Sequence, residues 1–261
     1  MLHSAAHAVV FSFTKTMADY LHCLIGCLQR LGGSPEKIVS VTDNDTGIVH
    51  HRDERRAYLH PEVAALYGAL RSRGVVLHPG HPERKGQVER TNGYLEGSFL
   101  PLRSFRDRSD LQAQSDEWAE QVAWARHHRR VGARVGDALA VERTFLQALP
   151  DPLPDVSSHL EARVMRDAFV RVGGADYSVP PGYSARRVQV RLTPTQVQVF
   201  ADGVSIAQHA RSFVPADVVL SPAHARALRL AREAKGRLAG GDVELPDVDL
   251  ARYDALAELS A

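Results

Sequence analysis

Apolar positions recur at helical spacing through Met17, Leu21, Leu24, Ile25 and Leu28, and Gly32-Gly33 follows, so the pattern predicts a helix over residues 16–31. Ahead of it, Ala8 to Phe13 (AVVFSF) is an apolar run of strand length, with Thr14 placed to cap the helix. Ile38 to Thr42 (IVSVT) reads as a second strand, ending at Asp43-Asn44-Asp45. Residues 61–73 return to helical spacing through Val63, Leu66, Tyr67 and Leu70, and Gly74 ends that helix before the strand-like Val75-Val76-Leu77. Strand, helix, strand, helix, strand predicts an α/β layer with parallel pairing. Asp43 then falls at the carboxyl end of a strand, where open α/β sheets place their ligands.

A loop, His78-Pro79-Gly80-His81-Pro82, leads into a helix opening near Glu83. Val88, Leu95 and Phe99 fall along its buried side, Asn92 and Tyr94 near its edges, and Arg84, Lys85 and Arg90 on other faces. Glu89 adjoins the buried stripe, which would carry it toward the sheet end that holds Asp43. A second long helix is expected from Asp110 to His128, burying Leu111, Trp118 and Val122 and ending in the basic run Arg126-His127-His128-Arg129-Arg130. A glycine-broken segment then runs to Leu149-Pro150, and residues 151–155 form a proline-rich linker.

The last third changes period. Val164–Val172, Tyr177–Val179, Val188–Leu192, Val197–Phe200 and Val204–Ala207 are short alternating runs separated by Gly173-Gly174, Pro180-Pro181-Gly182, Thr193-Pro194 and Asp202-Gly203. Five short strands with tight turns predict a small antiparallel β-barrel, with a hairpin at Asp202-Gly203. Residues 222–238 read as a helix with a basic stripe of Arg226, Arg229, Arg232, Lys235 and Arg237, and an acidic tail follows Gly240.

Composition narrows the partners. The chain has 261 residues and a formal net charge of +1, so any affinity for nucleic acid must come from local patches. Its two cysteines, Cys23 and Cys27, lie one helical turn apart and read as a reduced, buried pair. With no apolar run near the roughly 18 residues of a membrane span and no signal-peptide pattern, a soluble cytoplasmic protein is expected.

Two carboxylates stand out for chemistry. Phosphoryl transfer on DNA uses two divalent ions about 3.5–4 Å apart, and hard ions such as Mg²⁺ take oxygen ligands from rigid elements. Asp43 at a strand end and Glu89 on a later helix fit in type and placement, with Asp45 as the alternative to Asp43 at the strand end. His78 and His81 sit in a loop stiffened by Pro79 and Pro82, which favours a structural role. The adjacent pairs His50-His51 and His127-His128 send their side chains apart and do not make a metal site.

The run Gly86-Gln87-Val88-Glu89-Arg90-Thr91-Asn92, with Gly32-Gly33-Ser34-Pro35 leading to Thr42-Asp43-Asn44, resembles the catalytic core of retroviral-integrase-type transposases, most closely the IstA-type transposases of two-gene insertion sequences. The resemblance covers residues 5–215. It implies an α/β fold containing a partial RNase H-like integrase core over residues 1–108. A helical connector and linker would follow over 109–155, a small C-terminal antiparallel β-barrel over 156–215, and a helical and acidic tail over 216–261. It also implies an Asp, Asp, Glu triad binding Mg²⁺ or Mn²⁺, in which Asp43 matches the second aspartate and Glu89 the glutamate. The sole aspartate ahead of Asp43 is Asp19, inside the first helix, so the first triad acid has no counterpart and the chain reads as an N-terminally truncated transposase.

The implied partners are DNA (transposon ends and target), further copies of the chain, and an accessory ATPase helper of the same insertion sequence. Arg84, Lys85, Arg90, Asn92, Arg129 and Arg130 are the candidate DNA contacts, since cations that neutralise phosphates are rewarded by counterion release. Two functions follow as expectations. One is metal-dependent phosphoryl transfer at transposon ends, incomplete in this chain alone; the other is a non-catalytic DNA-binding or assembly role.

Overall fold

The structure, a computed structural model, describes residues 1, 3–40, 48–52, 57–76 and 82–239. Its first helix, α1 (Met17–Leu31), begins at Thr16, whose hydroxyl accepts from Asp19 N. The Thr14 and Thr16 hydroxyls both donate to the buried Asp19 carboxylate. Thr14 therefore supports the cap, while Thr16 is the cap itself. The helix ends at Gly32, whose positive φ of 98° lets its N–H reach Leu28 O while Gly33 N reaches the same carbonyl.

Of the expected strand, helix, strand, helix, strand pattern, the last four elements are present and the first strand is not. Strand β1 (Lys37–Ser40) pairs in parallel with β4 (Arg73–Val76), in the register Lys37↔Arg73 to Ser40↔Val76. Between them lie a hairpin not foreseen from the pattern, β2 (Val49–Arg52) with β3 (Ala57–Leu59), and helix α2 (Pro61–Ala69). Leu21, Ile25 and Leu28 of α1 pack with Val63, Leu66 and Tyr67 of α2, Leu70 and Ile48 in one core. This is the stripe the helical spacing picks out.

Ala8–Phe13 is not a strand. Its backbone groups are taken one by one by side chains of distant elements: Gln112 Nε2 donates to Val9 O and Gln112 Oε1 accepts from Phe11 N. Arg108 donates to Phe11 O, Cys27 to Ala8 O, and Trp124 Nε1 to His7 O. With those groups satisfied by side chains, no ladder remains for a partner strand.

Helix α3 (Pro82–Ser98) opens where expected, and α4 (Arg108–Trp118) follows, capped by the Asp107 carboxylate, which accepts from Asp110 N. The second long helix stops well short of His128. A single π turn over Ala119–Ala123 closes with Trp124 N on Ala119 O, and the next carbonyls are claimed by Gly136 N and Val135 N. The chain then forms a short hairpin, β5 (His127–His128) with β6 (Ala133–Arg134). The extra residue of the π turn rotates the helix phase, so Ala123 is fully buried and Val122, expected inside, is 44% exposed. Helix α5 (Val135–Arg143) occupies part of the segment expected to be broken.

The remaining strands are β7 (Ser158–Arg163), β8 (Phe169–Val172), β9 (Ala175–Ser178), β10 (Arg187–Leu192), β11 (Gln196–Ala201), β12 (Val204–Ala210) and β13 (Val218–Val219). Two turns are as the glycines require. Gly173-Gly174 joins β8 to β9 with φ of 61° and 87°, and Asp202-Gly203 joins β11 to β12 with φ of 51° and 78°, both positive as in a type I′ hairpin. The expected barrel is not formed: among the described residues the strands make a four-stranded sheet, β12-β11-β10-β7, and a three-stranded sheet, β13-β9-β8. The edge of β9 that could have continued a barrel is occupied by β13, which pairs with it in parallel through Val218↔Asp176 and Val219↔Tyr177.

Helix α6 (Pro222–Ala239) matches the basic helix read from the sequence. His224 Nδ1 lies 3.0 Å from both the Ser178 hydroxyl and the Ser178 carbonyl. The chain divides into two compact units, Met1–Leu160 with Arg191–Val197, and Glu161–Val190 with Gln198–Ala261. The fold is mixed α/β, and no helix among the described residues is long and apolar enough to cross a membrane.

Candidate nucleic-acid interface

Helix α3 carries most of the residues singled out from the sequence. Glu89, Arg90 and Asn92 are exposed along it, and Phe99 just beyond its end is fully buried against Trp118 and Ala123. Of the residues expected on the buried side, Phe99 is buried and Leu95 half-buried, while the side chain of Val88, beside Glu89, lies outside the described residues. Arg84 and Lys85 belong to the same helix, but their side chains lie outside the described residues, as do Asp43, Asp45, His78 and His81.

One cavity gathers several of these candidates. It has a volume of about 390 Å³ and is lined by Arg90, Thr91 and Tyr94 of α3, by Arg126, His128 and Arg130 around the β5–β6 hairpin, and by Ala5. Arg90 and Arg130 were both expected to contact DNA; the fold brings them together from positions 40 residues apart. Arg129, in the same turn, and Asn92 do not line it.

The walls of this cavity are held by aromatic packing. The Arg126 guanidinium lies 3.9 Å over the Tyr94 ring, and Tyr94 packs against Trp118 with ring centres 5.3 Å apart and against His7 at 6.0 Å. Burial, then the charges of Arg126 and of the chain's amino terminus, push His7 down to about 4, so its ring is neutral at physiological pH. His128 is also held below the usual imidazole range, first by burial and then by Arg126, Arg130 and His127.

Two polar atoms of this site are buried without a hydrogen-bond partner among the described residues: Arg126 Nε and His128 Nδ1. Neither Arg126 nor His128 stands out in the sequence beyond belonging to a basic run. Only the turn after the π segment, which carries them to the Tyr94 face of α3, distinguishes them from solvated charges.

The described residues contain one of the two proposed metal ligands, Glu89, and among them no group of three His, Cys, Asp or Glu side chains comes together to hold a metal ion. Cys23 and Cys27 are free thiols, half-buried rather than fully buried. Cys27 is pushed up to about 11, mainly by burial, which makes it a poor nucleophile.

Comparison with known proteins places the chain. Residues 149–220 match the Mu transposase C-terminal domain. The transposase for insertion sequence element IS21 of Pseudomonas aeruginosa is 25% identical over 203 residues, which is 77% of this chain and 52% of that protein. The transposase-like protein Rv3428c of Mycobacterium tuberculosis is 30% identical over 196 residues, 72% of this chain and 46% of that one. The transposase for insertion sequences IS1326/IS1353 of Pseudomonas aeruginosa is 29% identical over 142 residues, 52% of this chain and 27% of its own length. The chain spans about half the length of the first two. By this similarity, carried across some three quarters of its residues, the chain belongs to the insertion-sequence transposases of the IS21 type.

Proposed function

We propose that this chain acts on DNA during transposition and that Asp43 and Glu89 are two of the carboxylates of a phosphoryl-transfer site. The observation that carries this reading is the register of the parallel pair. Ser40 at the end of β1 is the partner of Val76 at the end of β4, so the stretch leading to Asp43 and the stretch leading to α3 leave the same end of the pair. That is the end at which α/β sheets assemble ligand sites. Glu89 follows on α3 with an exposed carboxylate. Held by such oxygen ligands, Mg²⁺ or Mn²⁺ would supply Lewis-acid stabilisation of the charge developing on the phosphoryl group. The chain's own contribution is to orient the strand through Arg90 and its neighbours and to present Glu89 from a helix fixed at Phe99.

The test is nicking or strand transfer of duplex DNA by the purified chain with Mn²⁺. Activity is expected in the wild type where another polypeptide supplies the third carboxylate, and is abolished in Glu89→Ala. Equal activity in the two, or none in either together with no measurable Mn²⁺ affinity, removes the catalytic reading.

A second reading is favoured by the arginines gathered around the α3 cavity: a chain that holds DNA, or helps assemble a complex on it, without chemistry of its own. It gives salt-sensitive DNA binding that Glu89→Ala leaves in place. Further copies of the chain and an accessory ATPase are the proposed protein partners.

A further inference from the structure

The cavity between α3 and the β5–β6 hairpin is more specialised than a basic surface. A cationic patch that only tracks DNA keeps its charges solvated, whereas here Arg126 Nε and His128 Nδ1 are withdrawn from solvent and left without partners among the described residues. These two atoms have almost no accessible surface of their own, so it is the remaining, half-buried parts of the Arg126 and His128 side chains that line the cavity and can meet a ligand's oxygens. Arg90 and Arg130 add two exposed cations at the same cavity. Arg126 cannot swing away to solvent without giving up its stacking on Tyr94. A guanidinium fixed in this way is preorganised for an oxyanion.

Size and shape restrict the source of the oxyanion. About 390 Å³ accommodates a phosphate with part of its nucleoside. Duplex DNA is stiff over tens of base pairs and offers its phosphates along a rod, which suits exposed side chains on an open face. A single strand can turn one phosphate inward with its sugar and neighbouring base, and Tyr94 brings an aromatic ring to the cavity lining.

We propose that the cavity lined by Arg90, Thr91, Tyr94, Arg126, His128 and Arg130 is a phosphate pocket that seats one phosphate of a single-stranded or frayed DNA segment. The proposal rests on the reading that this chain acts on DNA and names the part of the substrate that this site takes. It separates the binding surface into a pocket for an opened strand and whatever exposed cations meet the duplex.

The experiment compares full-length wild type with Arg130→Gln, Arg126→Gln and Arg126→Lys. Binding is measured by fluorescence anisotropy to a labelled single-stranded 12-mer and to its blunt duplex, with inorganic phosphate as competitor. The expected result is about tenfold weaker single-strand binding in each Gln variant, with the salt dependence falling by roughly one phosphate contact. Arg126→Lys should recover part of the loss, duplex binding should change less than twofold, and millimolar phosphate should compete with the single strand. Arg130 is exposed, so Arg130→Gln keeps the proposal testable if Arg126→Gln fails to fold. Single-strand binding unchanged in a folded Arg130→Gln overturns the pocket while leaving DNA action intact. Equal losses for single strand and duplex also overturn it, because they describe a general cationic face. Binding of neither DNA overturns both the pocket and the DNA reading, and binding of phosphate without DNA overturns the assignment to a nucleic-acid strand.

Discussion

Arg126 stacks its guanidinium 3.9 Å above the ring of Tyr94, joining the turn after α4 to the middle of α3. The contact does two things at once. It closes one side of the cationic cavity, and it covers an aromatic cluster that continues through Trp118 to Phe99.

Tyr94→Leu should therefore lower stability by about 1–2 kcal/mol, from the lost ring packing and the lost cation–π contact. Tyr94→Phe keeps the ring face and should stay near wild type. Urea unfolding followed by tryptophan fluorescence separates the two; equal midpoints for Leu and wild type would show that the stacking carries no weight.

Gly74 passes so close beneath Tyr67 that a Cβ there would overlap the ring and lie 2.7 Å from Leu59 Cδ1. Gly74→Ala should cost about 1–3 kcal/mol, because neither β4 nor the buried Tyr67 can yield easily. Gly93 in α3 has nothing within 4 Å of its Cβ position. Gly93→Ala should instead stabilise the chain by about 0.5–1 kcal/mol. Opposite shifts of the thermal midpoint are the expected pair of outcomes.

Acid should destabilise the fold through two half-buried histidines. Burial lowers His7 from 6.5 to about 4 and holds His224 below 6.5 as well. The unfolded chain binds protons at these sites before the folded one does, so their contribution is fully present above pH 6.5 and is lost as pH falls from there toward 4. Thermal midpoints measured across that window should fall more steeply for wild type than for His7→Gln. Parallel slopes would show that His7 is not the group responsible.

Gln112 holds the amino-terminal segment at two points, donating to Val9 O at 2.9 Å and accepting from Phe11 N at 3.1 Å. Gln112→Ala should free both backbone groups, at a cost of about 1–3 kcal/mol, and expose residues 8–13 to cleavage. Limited proteolysis with mass analysis should show faster cutting there than in wild type, with the α1 core retained. The Glu142 carboxylate, which accepts from Ser4 N at 3.1 Å, should keep residues 3 and 4 in place.

Much of the fold could be read from the chain because its signals are local. The apolar spacing from Met17 to Leu28 and the Gly32 stop define α1, since the capping bonds are made within five residues. Gly173-Gly174 and Asp202-Gly203 define two hairpin turns, because positive φ is a property of the turn residues themselves. Relatedness to transposases was also legible, through the words around Glu89 and Asp43.

The tertiary structure decided the rest, wherever a backbone group's partner came from far along the chain. AVVFSF has the composition of a strand, yet backbone groups of Ala8, Val9 and Phe11 belong to Cys27, Gln112 and Arg108, side chains that no local pattern assigns to it. The π turn at Ala119–Ala123 moved Val122 to solvent and redirected the basic run that follows. The same turn set Arg126, His128 and Arg130 facing Arg90 and Tyr94. Sequence alone determined which residues carry charge and which helices and turns form, because those depend on near neighbours. Which charges share a cavity, and which polar atoms are withdrawn from solvent there, depends on packing between distant segments, and only the folded chain fixes that.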